Sequence, residues 1–209
     1  MVIDGVVDSE NYYASKFSLS YGSTEIAFDL HASWLALWSN NLMDTDKVLD
    51  AFFTGCAEAG PDGCPFWAPT ANAISKNLTT LYHEVQRQPF PVRTENGYGL
   101  VDYTMLRTAV FATLYSPYAN FPWLARALAE LAAGDGRTIF EGLRGGTFDC
   151  ACDDPVNIFE VVGDAQAAVV CNDGADVPSD FQSTIDYFDM MRKKSEWADT
   201  WSHIRLRCL

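Results

Sequence analysis

The sequence predicts a mainly α fold led by one short strand. Three observations predict it. From Asp44 onward, apolar side chains recur every three or four residues, the period of a helix with one buried face. Pro and Gly clusters cut that pattern into pieces of ordinary helix length. Strand-like patterning is confined to residues 1–7 and 17–23.

Taken in order, Met1 to Val7 is apolar except for Asp4-Gly5, and reads as a buried strand leaving into a loop. Residues 14–36 follow no clear period: Phe17 to Ser23 alternates, and Ile26 to Leu37 is apolar with weak helical spacing. Asp44 stands where an N-cap accepts free backbone N–H groups. Behind it Val48, Leu49, Phe52, Phe53 and Cys56 share one helix face, with Asp46, Lys47 and Asp50 on the other. Gly60-Pro61-Asp62-Gly63 is a turn signal, since Pro presets φ and Gly accepts positive φ; it brings Cys56 and Cys64 together. Pro69 opens a second helix with the stripe Ala71, Ile74, Leu78, Leu81, Tyr82 and Val85, which Pro89 and Pro91 stop. Tyr103, Leu106, Val110, Phe111 and Leu114 form a third stripe, ended by Pro117. Trp123, Ala127, Leu128 and Leu131 form a fourth, between Pro122 and Gly134-Asp135-Gly136. Residues 139–143 make one short helix, and residues 145–154 a loop with Cys150 and Cys152. Residues 156–170 are apolar enough for a buried helix. Ser179 to Gln182 has the form of a capping box, with Phe181, Ile185 and Phe188 as the buried stripe behind it. Trp197, Trp201 and Ile204 mark a last helix ending near Cys208.

Composition narrows the function. A chain of 209 residues, 48% hydrophobic, can bury the core of one domain or of two small ones. Its formal net charge of −14 would be repelled by a duplex or an anionic bilayer, so neither nucleic acid nor membrane is expected as a partner. No apolar run reaches the roughly 18 residues of a spanning helix. Six cysteines favour an oxidising compartment, and Asn77-Leu78-Thr79 is a glycosylation sequon. Both point to an extracellular protein. The first residues lack the basic and apolar regions of a signal peptide, so the true N-terminus is expected to lie elsewhere.

Three stretches carry a resemblance. Met1 to Tyr13, with Asp4-Gly5-Val6-Val7-Asp8 at its centre, resembles the strand and loop after the nucleophile elbow in α/β-hydrolases of the tripeptidyl aminopeptidase type, proline-iminopeptidase-like serine peptidases of fungi and actinobacteria. Residues 38–67 resemble the start of that family's helical lid. Residues 164–174, with Trp201-Ser202-His203-Ile204-Arg205-Leu206-Arg207-Cys208, resemble its end. The resemblance implies a helical lid (cap) of an α/β-hydrolase with a short N-terminal core strand. Residues 1–13 would be the core strand and exit loop, 14–36 an atypical insertion such as a retained intron, and 37–209 the lid domain. It further implies that the nucleophilic Ser lies upstream and the acid and His downstream, in the rest of the hydrolase core. The chain is then the substrate-gating part of a secreted peptidase that releases short peptides from a free N-terminus. It is catalytically incomplete, with a peptide substrate in the intact enzyme. The rival class is a non-enzymatic helical module that binds a peptide or protein.

Ser18-Leu19-Ser20-Tyr21-Gly22 approaches the elbow pattern, but Ser18 stands where the sharp turn needs Gly, and the segment follows the strand it should precede. Ser20 therefore reads as a loop or edge-strand residue. His31, His83 and His203 are far apart and in no ligand spacing, so each reads as a surface or half-buried helix residue. Cys56–Cys64 is the pairing favoured by the short turn, and Cys171–Cys208 would tie the lid's last helices together. Cys150 and Cys152 are left over, since a bridge within C-x-C is strained; six cysteines allow 15 connectivities. No metal, cofactor or complete triad is expected. Acidic residues gather at Asp149, Asp153, Asp154, Glu160 and Asp164, and at Asp173, Asp176 and Asp180. Solvated loops and helix starts explain most of them. By analogy with aminopeptidase lids, one would hold the substrate's α-ammonium group; Asp173, at the lid-to-core junction, is the first choice. Trp38, Phe66, Trp67, Phe121 and Trp123 either line an apolar cleft, with Trp67 the first choice, or pack helices.

Overall fold

The structure is a computed structural model that describes residues 39–95, 97–143, 162–173 and 177–208. The leading strand, the 14–36 segment with Ser20 and His31, Trp38, and the Cys150–Cys152 loop with its carboxylates lie outside the described residues, as does Asp176. The described part is mainly helical with a small two-stranded sheet. It falls into two compact units, one of residues 44–143 and one of residues 39–43, 162–173 and 177–208.

The 44–143 unit begins with α1, Thr45–Gly63. Its buried residues are Leu49, Phe52, Phe53 and Cys56, four of the five expected on that face. Asp44 precedes it but its side chain makes no capping bond. The carboxylate is taken instead by Lys47, 2.6 Å away on the same exposed face. The Gly60-Pro61 signal acts as a kink rather than a terminus. Gly60 sits at φ 75°, a value that favours glycine, and one further helical turn comes after it. The disulfide Cys56–Cys64, with 5.3 Å between Cα atoms, folds that turn back on α1. Trp67 fastens the exit, its Nε1–H donating to the Ala57 carbonyl at 3.2 Å.

Helix α2, Ala71–Arg87, buries Ile74, Leu78, Leu81 and Val85. Its cap is Thr70, whose hydroxyl accepts from Ala73 N–H at 3.2 Å, and Pro69 lies just outside. After α2 the chain forms a hairpin that the apolar periodicity does not predict. Strands β1 (Phe90–Thr94) and β2 (Gly97–Val101) pair antiparallel, with Phe90 opposite Val101 and Thr94 opposite Gly97. Asn96-Gly97 is a hairpin signal. Pro89 and Pro91 mask it, because they read first as helix stops. Inner residues Val92 and Val101 are buried, while Tyr98 and Leu100 face solvent.

Helix α3, Tyr103–Thr113, is capped by Asp102, whose Oδ1 accepts from Met105 N–H at 2.8 Å. It buries Leu106, Arg107, Ala109, Val110 and Thr113; of the expected stripe only Leu106 and Val110 are buried, while Tyr103, Phe111 and Leu114 are half-buried. Helix α4, Pro117–Ala132, starts one and a half turns earlier than expected. Pro117 is its first residue, where no intrahelical N–H bond is lost, so this proline begins a helix as well as ending one. Pro122 lies inside it. Gly134, at φ 92°, ends it, with its N–H on the Leu131 carbonyl at 2.9 Å. Helix α5, Arg137–Leu143, buries Ile139 and Phe140 and packs against α3, α4 and the hairpin.

Gly99 is where the hairpin meets α5. A Cβ there would stand 2.5 Å from Cε2 of Phe140. An aromatic ring in a packed layer has little room to move. Gly99→Ala is expected to cost about 1–3 kcal/mol by overpacking, read as a lower denaturation midpoint. An unchanged midpoint would mean that the ring swings aside freely.

The other unit gathers a 3-10 turn, Ser39–Leu42, with α6 (Val162–Asp173), α7 (Phe181–Arg192), α8 (Ala198–Trp201) and α9 (His203–Leu206). Its core is Leu42, Val170, Tyr187, Met191, Trp197, Ala198, Trp201 and Ile204. The expected stripe on α7 is corrected. Phe181 is 78% exposed and Ile185 36%, whereas Tyr187 and Met191 are buried. The capping box is corrected too: Asp180 is the cap, accepting from Ser183 N–H at 2.8 Å and from its hydroxyl at 2.7 Å, while Gln182 bonds Asp186. The last helix is two short ones meeting at Ser202. Cys171–Cys208, again 5.3 Å between Cα atoms, closes a loop of 37 residues from α6 to the end of α9. No described helix is long and apolar enough to cross a membrane.

Candidate functional site

A cleft of about 820 Å³ opens in the 44–143 unit between the hairpin end, the C-terminus of α4 and α5. Its walls carry Arg93, Thr94, Glu95, Glu130, Asp135, Arg137, Thr138 and Glu141. The fold places them. Gly134 turns the chain at the end of α4, which brings Asp135 and then α5 back beside Glu130. The β1–β2 turn presents Arg93, Thr94 and Glu95.

Two of the four carboxylates are held. Asp135 receives Arg137 in a two-pronged pair, Nε to Oδ1 at 2.9 Å and Nη2 to Oδ2 at 2.5 Å, and also the Arg137 backbone N–H at 3.0 Å. That guanidinium holds the Asp135 carboxyl down to about 2 from an ordinary 3.8. Glu130 accepts from the Thr138 hydroxyl and lies 3.9 Å from Arg126 Nε. Glu141 adds negative field at Arg137. The side chains of Arg93 and Glu95 make no hydrogen bond or ion pair among the described residues. The cleft therefore offers separated charges of both signs with a carboxylate excess, suited to a dipolar or cationic polar group.

The pair sets a pH dependence. A depressed carboxyl pKa contributes stability above the ordinary value and loses it as pH falls from about 4 towards about 2. The contribution is small because both partners are exposed to water. Arg137→Ala is expected to return Asp135 to the ordinary carboxylate range in an NMR titration; an Asp135 still titrating near 2 would contradict the assignment.

The residues singled out from the sequence are dispersed. Trp67 is half-buried in the 44–143 unit, with its indole N–H on the Ala57 carbonyl, while Asp173 is half-buried at the end of α6 in the other unit. Asn77 is exposed in the middle of α2. Phe66 is buried, and Phe121 and Trp123 are half-buried. Phe121 packs edge-on to Phe52 at 5.2 Å, and Trp123 lies under Gly142. His83 and His203 are both exposed, one in each unit. Asp180 caps α7, and Asp164 lies on α6. Among the described residues no His, Cys, Asp and Glu gather so as to hold a metal ion.

Two buried cations have no signal in the sequence. Arg107 on α3 is 5% exposed and stacks over the Tyr82 ring at 5.2 Å. Arg205 on α9 is 2% exposed, with Nη1 donating to the Val170 carbonyl at 2.8 Å. Burial pushes the nearby Tyr187 hydroxyl up to about 12, against the opposing pull of Arg205. Compared with protein-family models, with curated proteins and with solved structures, the chain gives no significant match.

Proposed function

We propose that the chain is the lid, or substrate-gating, portion of a secreted α/β-hydrolase serine peptidase that releases short peptides from a free N-terminus. The catalytic groups belong to the hydrolase core, and this chain is catalytically incomplete. The observation that carries the reading is a helical architecture fastened by two disulfides over residues 39–67, 164–173 and 201–208, which lie within the stretches whose sequences resemble the opening and close of such a lid. Disulfides fit the extracellular localisation. The carboxylate excess of the 820 Å³ cleft fits a ligand with an ammonium group; Asp173, in the other unit, is a separate candidate for holding such a group. A second reading, a non-enzymatic helical module that binds a peptide or protein, draws support from the exposed Phe181 and Ile185 on α7.

Calorimetry on the oxidised chain tests the proposal with a tripeptide amide bearing a free or an acetylated N-terminus. The free form is expected to bind at least tenfold more tightly, and Asp173→Asn to reduce that preference several-fold. Equal affinities, or no binding by either, would overturn the proposal; an intact preference in Asp173→Asn would remove Asp173 from it.

A further inference from the structure

The hairpin of the 44–143 unit has two edges, and only one of them is guarded. In an antiparallel pair, residues that exchange both backbone bonds alternate with residues whose N–H and C=O turn away from the partner strand. Thr94 faces Gly97 with two residues between them in the sequence, so this closing pair is of the bonded kind. Val92 opposite Gly99 and Phe90 opposite Val101 are then bonded as well. The remaining pairs, Arg93 with Tyr98 and Pro91 with Leu100, turn their backbone groups outward. On β1 this edge carries its own guards, Pro91 without an N–H and the charged Arg93. Strand β2 holds no proline and no charged residue. Its outward N–H and C=O groups at Tyr98 and Leu100 meet no backbone partner among the described residues. The side chains at the same two positions are open too, Tyr98 at 86% and Leu100 at 55%. An uncharged strand edge with free donors, free acceptors and exposed apolar side chains is a template for a further strand.

We infer that the strand added there is β2 of a second copy of this chain, paired antiparallel about a two-fold axis through Gly99. The occupant follows from the register. About Gly99, Tyr98 of each copy falls opposite Leu100 of the other, and Gly97 opposite Val101, so one exposed apolar pair is made twice by symmetry. Rows of Arg93, Tyr98, Leu100 and Pro91 then cross a four-stranded sheet, the first two from one copy and the last two from the other. Charge permits the contact. Glu95 and Asp102 flank β2, but in this register both fall opposite neutral residues of the other copy. Each copy carries a net −14, so the two repel at long range and salt strengthens the dimer. Five residues a side is well short of the roughly 20–30 of a standard interface, so the dimer is weak and reversible. None of the carboxylates assigned to an ammonium group takes part, so the dimer is independent of the peptidase reading.

Sedimentation velocity on the full oxidised chain tests it, over concentrations from about 10 µM to about 500 µM, where weak complexes form. A reversible monomer–dimer equilibrium is expected, tightened several-fold as NaCl rises from about 0.05 M to about 0.5 M. Tyr98→Lys, at an exposed position, is expected to weaken the dimer at least tenfold without lowering the melting temperature. Leu100→Pro removes an outward N–H but no bond of the hairpin, and is expected to abolish the dimer. Hydrogen exchange at the Tyr98 and Leu100 amides is expected to slow as the concentration rises, while the Arg93 amide is unaffected. A chain that stays monomeric at the highest concentration, a dimer that survives both substitutions, or a dimer without protection at Tyr98 and Leu100 would overturn the inference. Protection of those amides by a blocked Val-Thr-Val-Thr-Val peptide, in a chain that remains monomeric, would assign the edge to an extended peptide and overturn the second copy as its occupant.

Discussion

Replacing Cys171 and Cys208 together by serine is expected to cost the 39–43/162–208 unit about 4 kcal/mol. The bridge closes a loop of 37 residues, and the chain-entropy estimate for a loop of that length falls at this value. Little else in the unit can compensate. Its two last helices have four residues each, too short to persist without tertiary contacts. Arg205, between them and α6, is buried with its guanidinium on the Val170 carbonyl. Loss of the covalent tie lets α9 leave α6, and that acceptor goes with it. The same substitution at Cys56 and Cys64 opens a loop of only eight residues and should cost about 2.5 kcal/mol. Denaturant titration followed by tryptophan fluorescence checks both, since Trp197 and Trp201 report on one unit and Trp67 and Trp123 on the other. A Cys171/Cys208 variant that melts like the parent would show that the helices hold without the bridge.

Leu128→Ala is expected to cost about 3–5 kcal/mol in the 44–143 unit. Leu128 is fully buried on α4, among Leu124, Ala127 and Leu131, and α4 packs against α1, α3 and α5. Few neighbours can close the gap. A cavity therefore persists rather than collapsing, which sets the cost at the upper end of the range. Leu128→Ile keeps the volume and should cost less than about 1.5 kcal/mol. Urea midpoints for the two variants make the check, and equal midpoints would contradict the packing described for α4.

The helical periodicity of α1 and α2 is legible in the sequence because their apolar faces are continuous, although the Gly60-Pro61 punctuation marks a kink in α1 and not its end. Prolines limit the rest. Pro117 and Pro122 both read as breaks, yet a proline is tolerated at a helix start, and Pro117 occupies that position. Pro89 and Pro91 conceal β1 in the same way. On α7 the spacing of Phe181, Ile185 and Phe188 is as regular as that of Tyr187 and Met191, and periodicity alone does not say which face the neighbours cover. Buried Arg107 and Arg205 are invisible for a related reason: a charged residue on an apolar stripe reads as its edge until the partners are placed. The charged cleft has no signature at all. It is assembled from a strand end, a helix end and a short helix whose proximity depends on the glycine turn at Gly134.

A serine-directed fluorophosphonate offered to the oxidised chain, followed by intact mass and peptide mapping, tests the lid assignment most directly. A lid without its hydrolase core has no activated nucleophile, so no stoichiometric adduct and no release of fluorophore from an aminopeptidase substrate are expected. One phosphonyl group per chain on Ser20, with turnover of that substrate, would contradict the assignment.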